Sequence, residues 1–194
     1  MQENIYATPE ASLDNPEQSP VEHAFYVVSV PKFLTLYFFT FGFYGFYWHY
    51  KNWARYKIAY ADKSPMPFWR AVFSLFFTHS LFNTIDTRLM EKGIDFKWNP
   101  TVWATIAVVA QLASRIIDRV TADGDMTTPI EYAPFPLMIV YGLVLLKAQR
   151  VINLSCMDPD GNSNRTFTLA NCAWIFLGAV IFSLIVVVIF ASSI

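Results

Sequence analysis

From residue 166 to residue 194 the chain carries no Asp, Glu, Lys or Arg, and residues 174–190 are aliphatic or aromatic almost throughout. Ionisable groups are expensive in hydrocarbon, and about 20 mostly apolar residues suffice to cross it as a helix. No other feature restricts the possible folds so strongly. Four more charge-free runs occupy residues 33–50, 71–85, 98–114 and 132–146. With 55% hydrophobic and only 15% charged residues, the chain lacks the charge that covers a soluble domain, roughly 25%. The same composition excludes a disordered protein, a collagen-like fibre and a coiled coil. A net charge of -1 argues against a nucleic-acid partner, and two cysteines, Cys156 and Cys172, make neither a disulfide scaffold nor a zinc site.

The runs are not equal. The first and third reach spanning length with help from their flanks. The fourth extends to Ile130, with Lys147 able to snorkel at its other end. Run 71–85 holds Ser74, Thr78, His79, Ser80, Asn83 and Thr84, so it reads as interfacial or re-entrant. Ahead of the first run, residues 1–30 contain no Lys or Arg, five acids (Glu3, Glu10, Asp14, Glu17, Glu22) and Pro9, Pro16 and Pro20. That stretch predicts a disordered acidic tail over residues 1–24, with residues 25–30 a short extended or interfacial piece. No basic segment precedes an apolar one there, which argues against a secretory signal peptide.

Lys and Arg concentrate in cytoplasmic loops, so the 14 basic residues discriminate between layouts. Five spans divide them seven against seven. Keeping run 71–85 on the cytoplasmic side places eight inside between Lys51 and Lys97, joined by Lys147, Arg150 and Arg165. Lys32, Arg115 and Arg119 are left outside. The expectation is an all-α, polytopic helical membrane bundle over residues 25–194. It has four spans near 32–50, 98–117, 130–148 and 168–191, an amphipathic or re-entrant helix near 67–90, and both termini outside. Five spans is the alternative.

The first helix is expected to continue past the membrane. Phe46, Tyr50, Trp53, Tyr56 and Tyr60 recur at helical spacing, with Lys51, Arg55 and Asp62 on the opposite face. Rings at headgroup level and cations beside anionic lipid suit an interfacial helix. Lys51, Trp53, Arg55, Lys57 and Arg70 are therefore candidate lipid or partner contacts. The competing reading is that the stripe packs on a neighbouring helix. Ser64-Pro65-Met66-Pro67 ends that helix and starts another.

Thr40-Phe41-Gly42-Phe43-Tyr44-Gly45-Phe46-Tyr47-Trp48, followed by Tyr50-Lys51-Asn52-Trp53, resembles a signature of small uncharacterised bacterial inner-membrane proteins. Those families carry Thr-x-Gly-x-Tyr-x-x-Tyr-Trp in a first helix with a basic, aromatic continuation. Pro67-Phe68-Trp69-Arg70-Ala71 is similar too, and the likeness covers about the first half of the chain. It implies a multi-pass protein of the bacterial inner membrane and no particular activity. Physically, Gly42 and Gly45 admit a close backbone, and the Tyr and Trp residues favour an interface.

Polar groups inside apolar runs are the other candidates. His79, Gln111, Arg115 and Asp118 form a possible intramembrane site, with Arg115 and Asp118 three apart and able to pair. Against this stand a wetted histidine and an ordinary solvated helix end. Lys147 and Arg150 invite lipid phosphates, or simply anchor a span end. Asp158, Asp160 and Asn162 have a calcium-loop spacing, but Ser163 and Leu169 replace the glycine and glutamate such a loop requires, so a Pro-Asp-Gly turn explains them better. No catalytic, cofactor or metal constellation is legible. The expected role is a non-enzymatic component that contacts the lipid bilayer, anionic headgroups or a membrane-protein partner or second copy. The alternative is a subunit of a small oligomeric transporter or channel.

Overall fold

A computed structural model of the chain describes residues 24–121, 130 and 133–192. The expected acidic tail, up to residue 23, and the acidic loop around Asp123 and Asp125 lie outside the described residues. The described residues form seven α-helices without a strand: α1 Val30–Phe39, α2 Tyr44–Ala59, α3 Pro67–Val72, α4 Ser74–Glu91, α5 Pro100–Thr121, α6 Pro134–Ser155 and α7 Leu169–Ser192. Three of them, α5, α6 and α7, are long and apolar enough to cross a membrane.

The run at 32–50 is not one spanning helix, which corrects the sequence reading. Helix α1 has 10 residues, a rise of about 15 Å, or half the hydrocarbon core. It stops at a corner built by the quoted motif. The Thr40 hydroxyl donates to the Leu36 carbonyl (2.7 Å) and accepts the Tyr44 N–H (2.9 Å), ending one helix and opening the next. Phe41 and Gly42 take φ of 51° and 83°, and the Gly42 N–H closes on the Tyr37 carbonyl at 2.9 Å. Only glycine enters that left-handed region without strain, which is why Gly42 stands there.

Contacts along α6 fix the direction of both legs. Near the end of α1, the Tyr37 hydroxyl donates to the Met138 carbonyl (2.8 Å), close to where α6 begins. At the start of α2, Gly45 lies against Tyr141 and Leu145, and the Trp48 indole N–H one turn later reaches Gln149. Lys32, at the start of α1, bonds to Asn164 and Thr166 beyond the end of α6. The two helices therefore form a hairpin that goes in beside α6 and returns to the same end.

Pro67 opens α3 as expected, and a break at Phe73 separates it from α4. Helix α4 runs antiparallel to α5, with Ser74 near Gln111, His79 near Thr105 and Trp98 near Asp86. The core lies between the hairpin, α4 and the second half of α6, with Trp48, Phe82, Leu145 and Ile152 all fully buried. Helix α7 stands outside it, packed on α1, where the Gly178 position has no room for a Cβ against the Phe39 backbone.

Candidate functional site

The extended segment before α1 is buried rather than solvated. Phe25 and Val28 are 1% and 0% exposed. Buried backbone without a partner costs free energy, and an extended segment among helices has no ladder to join. Amide side chains supply the missing partners. The Tyr26 N–H donates to Asn52 Oδ1 (3.0 Å), and Gln149 Nε2 donates to the Tyr26 carbonyl (3.0 Å). Asn153 takes the Val28 N–H on Oδ1 (3.4 Å) and returns Nδ2 to the Val28 carbonyl (3.0 Å). Asn164 Nδ2 donates to the Val27 carbonyl (2.9 Å). Gln149 also donates to Asn153 Oδ1 (2.7 Å), and Trp48 holds the Gln149 oxygen.

Sequence reasoning missed these amides. The one available signal was Gln149 and Asn153, one helical turn apart and therefore on one face of a largely apolar helix. Their partners are more than a hundred residues away along the chain.

The basic aromatic set is partly an internal fastening. Trp53 is 1% exposed, and the Arg70 guanidinium stacks 4.1 Å above its ring and 5.2 Å from that of Phe77. Lys51 Nζ stands 5.8 Å from the Tyr26 ring and 5.9 Å from that of Tyr47. The expected aromatic face divides: Trp53 turns inward, Tyr56 and Tyr60 are half-buried, and Phe46 and Tyr50 are exposed. The inward face of α2 is set by the buried Trp48, Asn52 and Trp53, of which Asn52 holds the extended segment directly. Arg55 is exposed and Lys57 half-buried, so these heads and that of Lys51 remain at the surface.

The polar intramembrane set does not converge. His79 Nε2 is 3.1 Å from Thr105 Oγ1, and Gln111 pairs with Ser74 (3.4 Å). Both line the α4–α5 seam. Arg115 and Asp118 are exposed near the end of α5, and no ion pair joins them. Fully buried His49, unused in the sequence reading, meets Thr78 Oγ1 at 3.2 Å on the α2–α4 side.

The Asp158 turn caps itself rather than a cation. Its carboxylate accepts the N–H groups of Asn162 (2.8 Å) and Ser163 (2.9 Å) at a short 3-10 turn, Asn162–Asn164. Partial burial works to raise its pKa, but these bonds prevail and hold it below the ordinary carboxylate value.

The hairpin gathers the cations. Lys32 at the start of α1, Lys57 near the end of α2 and Lys63 in the loop after it, Arg88 and Lys92 closing α4, Lys97 before α5, and Lys147, Arg150 and Arg165 around the end of α6 all lie at one end of the bundle. Lys51, Arg55 and Arg70 adjoin them, leaving Arg115 and Arg119 at the other end of α5. At the crowded end the Lys32, Arg150 and Arg165 side chains border a pocket of about 640 Å³.

These features define an all-α membrane protein with a polar-stitched helical hairpin. Comparison with models of known protein families, with curated proteins and with solved structures finds no match.

Proposed function

We propose that this is a non-enzymatic component of the bacterial inner membrane that binds anionic lipid through its cationic end. The observation carrying the reading is the segregation of charge. Nine of the 14 basic residues lie at one end, counting Lys32, which the hairpin returns there; Lys51, Arg55 and Arg70 adjoin them, and only Arg115 and Arg119 stand at the other end of α5. Such asymmetry marks a cytoplasmic face, where surface lysines and arginines each gain roughly 1 kcal/mol near anionic lipid.

The chain then crosses three times, through α5, α6 and α7, with α1–α2 re-entrant from the cytoplasmic side. The corner motif is the point of kinship with the small inner-membrane proteins it resembles. Lys51, Arg55 and Lys57 meet headgroups beside the returning leg, while Arg70 covers Trp53.

The test is retention of phosphatidylglycerol by the full chain in nanodiscs of mixed phosphatidylglycerol and phosphatidylcholine, followed by native mass spectrometry. K51Q/R55Q/K57Q is expected to lower the bound phosphatidylglycerol, and R115Q/R119Q to leave it unchanged. Equal loss from both triple and double variants would discard the reading.

A further inference from the structure

We propose that the pocket bordered by Lys32, Arg150 and Arg165 is a binding site for a phosphate group, borne by an anionic phospholipid or free in solution. The proposal rests on the lipid-binding reading and gives it a specific site. The pocket lies between the first turn of α1, the last turns of α6 and the loop leading to α7. Its three cations therefore come from three separate parts of the chain, and only the tertiary fold brings them together.

Lys32 is the unusual member. It is 2% exposed, yet its ammonium is held by two uncharged oxygens, Asn164 Oδ1 and the Thr166 carbonyl, each at 2.7 Å. An ammonium withdrawn from water without a carboxylate partner is costly, so its retention asks for another source of negative charge. Asp160 is the one carboxylate lining the pocket, against three cations. Asp158, in the same loop, spends its oxygens on the Asn162 and Ser163 N–H groups. A further cation, Lys147, stands 4.3 Å over the ring of Phe96, which belongs to the pocket wall.

The local excess of positive charge suits a phosphate. Guanidinium groups grip phosphate oxygens in pairs, and the first turn of α1 adds the positive end of a helix dipole. Phe96, Leu154 and Phe167 give the same pocket an apolar side, matching a phosphate joined to glycerol and acyl chains.

Lys32 is too buried for a clean deletion, but Arg150 and Arg165 are exposed and removable. The full chain in uncharged detergent is titrated separately with phosphatidylglycerol and inorganic phosphate, with thermal melting as the check on folding. R150Q/R165Q should weaken binding roughly tenfold or more, the worth of lost charge-assisted hydrogen bonds. R115Q/R119Q should bind as the wild type does. Displacement of bound phosphatidylglycerol by inorganic phosphate identifies free phosphate as a ligand, and its failure to compete identifies the lipid. Wild-type affinity of R150Q/R165Q for both probes overturns the site. If K51Q/R55Q/K57Q still weakens phosphatidylglycerol binding in that case, the lipid reading survives without the pocket; if it does not, both fall.

Discussion

Helices α6 and α7 are both apolar enough to span, yet they are opposite kinds of element. Within its most apolar stretch α6 is 44% buried inside the protein and α7 only 6%. Helix α6 carries Gln149 and Asn153 on its inward face and stitches the extended segment to the hairpin. Helix α7 has no charge, leans on α1 and turns residues such as Leu184, Val187 and Val188, each at least 60% exposed, outward. In lipid such a surface needs no cover, because hydrocarbon solvates it as well as a protein core would. Apolar sequence therefore buries nothing by itself here. What holds the core together includes the polar groups that other buried polar groups require.

The strongest way to break that contrast is Asn153→Leu. It leaves the Val28 N–H and carbonyl unpaired and removes a partner of Gln149, a loss of roughly 2–6 kcal/mol at about 1–3 for each of the two orphaned groups. Thermal unfolding of the detergent-solubilised protein should show a large drop in Tm. An unchanged Tm would mean that the amide network does not hold the segment.

Gly42→Val comes next. It forces a β-branched residue to φ 83° and places a Cβ about 3.2 Å from Met138, at a cost of roughly 1–3 kcal/mol. Because the corner decides whether α1 and α2 reverse, an N-terminal topology reporter complements the Tm measurement. It should read cytoplasmic in the wild type, and a periplasmic reading would make the first apolar run a crossing after all.

Asp158 sharpens the comparison at the loop joining the two helices. Its folded pKa is below the ordinary 3.8, so its contribution is present above that value and is lost as pH falls through the lower folded value. Asp158→Asn should cost about 1 kcal/mol near neutral pH, as for the loss of a cap, and nothing once the wild-type carboxyl is protonated. Melting both proteins from pH 7 down to pH 3 and below checks the sign.

The smallest effect belongs to α7. Changing Val187 and Val188 to Leu should shift stability by no more than about 0.5 kcal/mol, because both side chains are exposed and the substitution keeps an apolar face. A large loss would reveal that α7 packs on something else, such as a second copy.

Much of the candidate region was legible as composition and little of it as geometry. The cations of the Lys51–Lys57 stretch were readable because charge is a property of each residue. The inward turn of Trp53 was not, since helical spacing gives several faces and only tertiary contacts, such as Arg70 over its ring, select one. The tally set Lys32 apart from Lys147, Arg150 and Arg165, whereas the fold brings it to their end of the bundle, for a definite reason. Its position depended on the next 18 residues crossing, and the Thr40–Gly42 corner turns them back.

What the amino-acid order determined was partition: which stretches tolerate hydrocarbon, and that helices are the structure to form there. Those follow from side-chain transfer energies, which add along a chain. That three helices rather than the expected four are long and apolar enough to cross emerged only from where the chain begins and ends them. Tertiary structure decided whether an apolar run crosses or reverses, which residues of a helix face inward, and which cations share a pocket. Each depends on pairings such as Tyr37 with Met138, Gln149 with Tyr26 and Lys32 with Asn164, made across about 100 residues or more of intervening chain. A hydrogen bond owes its worth to the burial of both partners, and that burial exists only once the chain has folded.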